Sequence, residues 1–170
     1  MPDERVEASR ILLHEVCALM ATHGDDVVLI GGWVPDVLFP KAKPPHVGSI
    51  DVDMLLRLRR EQHSAVVALL LRTGFRQGRH GYQFFKDIPV AGGRSIRAQL
   101  DLLTSARHHE EFFESSEPSL QPVHGAEIAF RDNSVLPVGT SGGVEIRVAG
   151  IVAFLTMKGL ALHDRAPGRP

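Results

Sequence analysis

The feature that most limits what this chain can fold into is a pair of aspartates one residue apart at the head of an apolar run, Ser49-Ile50-Asp51-Val52-Asp53-Met54-Leu55-Leu56. In a β-strand, residues i and i+2 point to the same face, so Asp51 and Asp53 project side by side about 6.5 Å apart along the backbone, with Val52 turned the other way. Like charges held that close repel each other, and a divalent cation between them is the usual remedy. Upstream, Val27–Ile30 is a continuous apolar run suited to a buried strand, and Gly31-Gly32 follows at once. Glycines there let the backbone approach a ligand closely and leave amide N–H groups to face an anion, phosphate being a good candidate, with Trp33 opening a helix. The stretch from Val27 to Leu56 is thus a strand, a diglycine, a short helix, a Pro-rich loop and an acidic strand.

The rest of the chain is read around that unit. Asp3 to His23 is expected to be a helix with Val6, Leu13, Val16, Cys17 and Met20 on one stripe, closed by Gly24. Asp25 and Asp26 then form a solvated turn. Trp33 to Phe39 is helical despite Pro35, which a first turn accepts, and Lys41 to Pro45 is a loop. Ile50 to Leu58 is the acidic strand, with Arg57, Arg59 and Arg60 after the acidic pair as surface charges, and a helix over Glu61 to Arg72 comes next, closed by Gly74. Phe75–Arg79 and Tyr82–Lys86 read as a hairpin turning at His80-Gly81, with a second turn at Ala91-Gly92-Gly93. Ile96 to Leu103 alternates and carries Asp101 between Leu100 and Leu102. An aspartate so flanked is costly to bury unless it is paired or bound to a cation. Arg107 to Pro122 is polar and reads as a surface helix and loop. Glu127–Val138 and Gly143–Val148 supply further strands separated by Gly-Ser-Gly turns, and Ile151–His163 is a strongly apolar helix. Lys158 lies on it at i+4 from Phe154 and i+3 from Leu155, where it either snorkels to water or aims its ammonium at a phosphate.

Composition narrows the function classes. The 170 residues suffice for one domain, and 44% hydrophobic with 23% charged residues is ordinary for a globular protein. A formal net charge of −1 gives no global basic field, so nucleic acid would have to meet a local patch such as Arg72, Arg76 and Arg79. The single Cys17 excludes an internal disulfide framework and a cysteine zinc site, and is expected to be a buried thiol. The histidines lack metal-ligand spacing. No run approaches a membrane span, and the charged N-terminus does not read as a signal peptide, so a cytoplasmic protein is expected.

The order strand, Gly-Gly, helix, loop, Ser-x-Asp-x-Asp resembles the signature of the nucleotidyltransferase superfamily that includes DNA polymerase β. Within it the chain looks closest to the AbiEii-type nucleotidyltransferases, toxin halves of bacterial abortive-infection and toxin–antitoxin systems, which also carry a lysine on a helix corresponding to that of Lys158. The resemblance implies an α/β (α+β) fold, a nucleotidyltransferase-like mixed sheet flanked by helices, over residues 1–165. Residues 166–170 are then a tail, standing where the family has a Lys-Asp motif and a further helical domain after the turn at His163-Asp164-Arg165. It implies Mg²⁺ or Mn²⁺ held by Asp51, Asp53 and Asp101, and a nucleoside triphosphate whose phosphates meet Gly31, Gly32, Ser49 and Lys158. The implied reaction moves a nucleoside monophosphate to a hydroxyl of an RNA such as tRNA, a protein or a small molecule, with an antitoxin as a further partner. Two other functions use the same residues: a nucleotide-binding module without catalysis, and a metal-dependent phosphohydrolase.

Overall fold

The computed structural model describes residues 3–114, 118–139 and 143–164. Among them one mixed sheet of eight strands forms the centre, flanked by helices as expected. The chain runs α1 (Glu4–Met20), β1 (Val27–Ile30), α2 (Val34–Leu38), β2 (Asp51–Leu56), α3 (Arg60–Arg72), β3 (Arg76–Gln77) and β4 (Gln83–Pro89). It continues through β5 (Ser95–Ser105), α4 (Ala106–Phe112), β6 (Gln121–Val123), β7 (Asn133–Val138), β8 (Val144–Ala149) and α5 (Ile151–Asp164). The strand order is β3-β4-β5-β2-β1-β8-β7, with β6 pairing separately on β5.

β2 is antiparallel to β1 and parallel to β5. The register sets Asp51 beside Gln99 and Asp53 beside Asp101, so these four side chains share one face. Val52, Met54, Leu100 and Leu102 point the other way and are fully buried. α1 covers that apolar face with Leu12, Leu13, Val16, Cys17 and Met20, while Val6 is partly buried. The thiol of Cys17 is pushed up to about 12 by burial, which makes it a core residue rather than a nucleophile. An ion pair from Lys86 of β4 to Glu15 joins sheet to helix, and Lys86 also donates to the Thr73 carbonyl at 2.8 Å.

Several sequence expectations are corrected. Glu127–Phe130 is not strand: Ala126–Phe130 is a 3₁₀ helix and only Asn133–Val138 is extended. The residues this turn buries completely are Ala126 and Ala129, three apart, which is the period of a 3₁₀ turn and not of a strand. The first hairpin strand shrinks to Arg76–Gln77. The polar stretch after Arg107 is not all surface, because His109 and Phe113 are buried, stacked at 5.8 Å, and β6 lies near its end. Asp25 is exposed and Asp26 half-buried, and both are ion-paired, to Arg147 and, at 3.3 Å, to Arg57. Residues 140–142 of the Gly- and Ser-containing turn, Arg165 and the 166–170 tail lie outside the described residues.

α5 is held at both ends. Asp132 accepts from the Ala153 N–H at 2.7 Å, and its carbonyl accepts from Gly150 at 2.8 Å. A Cβ on Gly150 would lie 2.2 Å from the Asp132 carboxylate, so Gly150 is what lets this cap close. Further along, Leu160 rests on Gly125, where a Cβ would meet its Cδ1 at 2.6 Å. Leu155 and Leu162 remain 60% and 72% exposed, so the expected apolar helix buries only part of its surface. Removing the cap in Asp132→Ala is expected to lower stability by about 1 kcal/mol in denaturant unfolding, with Asp132→Asn recovering most of it.

Candidate functional site

The diglycine sits where β1 turns away from β2. Ile30 is the register partner of Asp53, so Gly31 passes directly over the Asp53 side chain. A Cβ at Gly31 would stand 1.9 Å from Asp53 Oδ2, and the residue has φ +76°, a conformation that favours glycine. Gly32 is constrained in the same way by Ser49, whose Oγ would lie 2.4 Å from an added Cβ. The two glycines therefore answer first to a steric demand: they make room for Asp53 and Ser49. Fully buried Trp33 anchors the turn by donating from Nε1 to Ser9 Oγ of α1 at 3.0 Å. Gly48, with φ +84° and a virtual Cβ 2.4 Å from Val6, seats the approach to Ser49 against the same helix.

The carboxylates are arranged in a row. Ser49 Oγ donates to Asp51 Oδ1 at 2.7 Å, and Gln99 Nε2 donates to Asp101 Oδ1 at 2.9 Å. The Asp53 carboxyl is pushed up to about 7, chiefly by burial and then by the charges of Asp51 and Asp101, with Lys158 acting in the opposite direction. Asp101 is raised to about 6 by burial and by Asp51, against the lowering effect of the Gln99 hydrogen bond. Burial and mutual repulsion thus both work against ionising this row of acids.

A cavity of about 330 Å³, of the size that takes a small ligand, opens over this row. Gly31, Asp53, Asp101 and Lys158 line it, with Phe154, Met157 and Ala161 beside the lysine on α5. Leu155, which sequence spacing put on the same face as Lys158, does not line the cavity; both residues are exposed, and Lys158 alone of the two borders it. The Lys158 ammonium lies 5.9 Å from the Phe154 ring centroid. Asp51 does not line this cavity; on the same face it lines a recess of about 220 Å³ with Arg5, Arg97 and Gln99. Gly32 and Ser49 stand behind Asp51 rather than in the cavity lining. Arg72, Arg76 and Arg79 do not line the cavity either, and Arg76 is engaged at 2.7 Å with Asp87.

The donor set is all carboxylate oxygen, which suits Mg²⁺ or Mn²⁺ and not a soft metal. The carboxyls resist ionisation when no cation is near, and a divalent ion would favour their ionised form, so the residues fit it chemically. Their geometry is open, however: among the described residues no three His, Cys, Asp or Glu side chains are placed to hold a metal as they stand. Sequence reading missed Tyr82 and Gln121, which also line the cavity. Gln121 lies on a strand of only three residues, too short for its period to show.

No family model matches the chain, and no curated protein matches it. Among solved structures it is similar to an antigenic nucleotidyltransferase-like protein from Paracoccidioides brasiliensis, with a TM-score of 0.60 and 16% sequence identity. The similarity covers 96% of this chain and 70% of that one. The fold is therefore nucleotidyltransferase-like. No described helix is long and apolar enough to cross a membrane.

The raised carboxyls give stability a definite dependence on pH. Between the ordinary carboxyl value of 3.8 and about 7, the folded protein keeps a proton on Asp53 that the unfolded chain has lost. Stability of the metal-free protein is expected to fall as pH rises through that window and to level off above it. Asp101 adds to the slope up to about pH 6. Asp53→Asn is expected to remove most of the slope and to raise the melting temperature at pH 8 by a few degrees, measured by thermal unfolding in chelator from pH 4 to 8. A variant that melts lower than its parent at pH 8 contradicts this electrostatic account.

Proposed function

We propose that the protein is a metal-dependent nucleotidyltransferase, which moves a nucleoside monophosphate from a nucleoside triphosphate to an acceptor hydroxyl and releases pyrophosphate. The observation that carries this reading is the convergence of Asp53, Asp101 and Lys158 on one cavity beneath Gly31, with Asp51 next to them on the same face of the sheet. The nucleotidyltransferase-like fold supports it.

Asp51, Asp53 and Asp101 would hold Mg²⁺ or Mn²⁺, which when bound supplies neutralisation of the phosphates and of the attacking and leaving oxygens. The chain's own groups do the rest. Lys158 places a positive charge opposite the carboxylates, where it attracts the triphosphate and offsets negative charge that builds on the leaving group. The backbone at Gly31, which lines the cavity, meets the outer phosphates, while Gly32 and Ser49 act on the site through Asp51. Ser49 and Gln99 orient the carboxylates by their hydrogen bonds to Asp51 and Asp101. The apolar side of the cavity, Phe154 and Met157, excludes water from the nucleotide. The acceptor is an RNA, protein or small-molecule hydroxyl, and the resemblance to AbiEii-type proteins makes a toxin whose partner is an antitoxin part of the proposal.

Nucleoside triphosphate is expected to bind only with Mg²⁺ or Mn²⁺, because without a cation the carboxylates repel it. Calorimetry with and without chelator reads this, and equal affinity in both conditions removes the metal-dependent reading. Lys158→Met keeps the aliphatic stem and removes the charge. Loss of a charge-assisted contact of about 1.5–3 kcal/mol should raise the dissociation constant for the triphosphate by about tenfold or more. An affinity within about twofold of the parent would mean that the ammonium merely reaches water. Binding without transfer of labelled nucleotide to any acceptor would mark a binding module, and release of free nucleotide without a labelled acceptor would mark a hydrolase.

A further inference from the structure

β5 has two partners along a single edge. β4 pairs with it from Ser95 to Asp101, and β6 takes over from Leu103 to Ser105. At the changeover the Leu102 N–H donates to the Tyr82 carbonyl at 3.0 Å. Tyr82 comes immediately before β4 and Gln121 begins β6, so the two residues flank the break in the edge, and both line the cavity with Asp101.

The cavity wall is chemically divided. Asp53, Asp101 and Lys158 hold its charge, while Ile30, Leu103 and Val123 are among its many apolar residues. Among the described residues lining it, Tyr82 and Gln121 supply the neutral hydrogen-bonding side chains. The Gln121 backbone is fixed by its register with Leu103. Its amide N–H makes only a long bond, 3.3 Å, to the carbonyl of its own neighbour Pro122. A well-placed amide with so little structural work, set in an apolar wall, is suited to a ligand. It offers a donor and an acceptor side by side, the pattern that matches the paired polar atoms along a nucleobase edge.

We propose that Gln121 is a specificity-determining residue, whose amide hydrogen-bonds the polar edge of the nucleobase of the bound triphosphate and so selects which base is accepted. This rests on the nucleotide reading above and adds the base end of the substrate to it. A site that buries a polar edge discriminates because the wrong base leaves groups unpaired.

The test is calorimetry on the full chain with Mg²⁺, titrating the four common nucleoside triphosphates and inorganic tripolyphosphate into the parent, Gln121→Leu and Gln121→Glu. The parent is expected to prefer one triphosphate. Gln121→Leu should weaken that one by about tenfold, to the level of the others, and leave tripolyphosphate unchanged. Gln121→Glu, which replaces the donor with an acceptor at constant size, should change the order of preference, and it carries the test if the leucine variant fails to fold. An unchanged preference in the variants overturns the assignment. So does a parent that binds tripolyphosphate and all four nucleotides equally, although the phosphate end of the reading then survives. A parent that binds none of these ligands removes the nucleotide reading, and this inference with it.

Discussion

The structure around the cavity depends on the placement of one charge, the carboxylate of Asp53, between two others and under a backbone turn. Burial and the two flanking aspartates oppose its ionisation, and among the described residues Lys158 favours it. The neighbouring residues follow from accommodating that group. Gly31 has no side chain because Asp53 fills the space where one would be, and Gly32 stands in the same relation to Ser49. Ser49 and Gln99 are hydrogen-bond donors because the carboxylates beside Asp53 need partners. α1 matters indirectly, since its Ser9 fixes Trp33, which continues the glycine turn.

This arrangement explains why the carboxylates stand ready without forming a closed cage. In the metal-free protein each of the outer aspartates takes a neutral donor on one oxygen, while Asp53 relieves the repulsion by holding its proton toward neutral pH. Under the proposed function, a divalent ion brought to these residues would exchange a proton for a metal, which links binding to protonation.

Much of this was legible in the sequence, for identifiable reasons. Alternation along a strand is enough to put Asp51 and Asp53 on one face, and the leucines around Asp101 mark it as an acid in a buried setting. That the strand of Asp101 lies beside that of Asp53 came from the family resemblance and is borne out by the pairing of β2 with β5; no local pattern shows it, because parallel pairing between distant strands leaves no local trace. The diglycine was conspicuous, but its steric role depends on a side chain contributed by the next strand. Lys158 was found through helical spacing, which placed Leu155 with it wrongly, since periodicity cannot say how much of an apolar helix the sheet will cover. Glu127–Phe130 misled because its apolar residues alternate, whereas the alanines that pack inward are spaced by three. Gln121 lay within a polar stretch that gave no signal of a strand at all.

The divided edge of β5 has a consequence for how such a protein can diversify. The carboxylate row is carried by β2 and the first part of β5, and the ladder with β4 stabilises that part independently of β6. The segment that brings Gln121 to the cavity arrives through a separate connection after α4 and touches β5 only beyond Asp101. Loops and short edge pieces tolerate exchange far better than central strands do. Inheritable variation confined to that connection can therefore retune what the cavity accepts while the acid-bearing strands keep their register, separating the evolution of ligand choice from that of the charged centre.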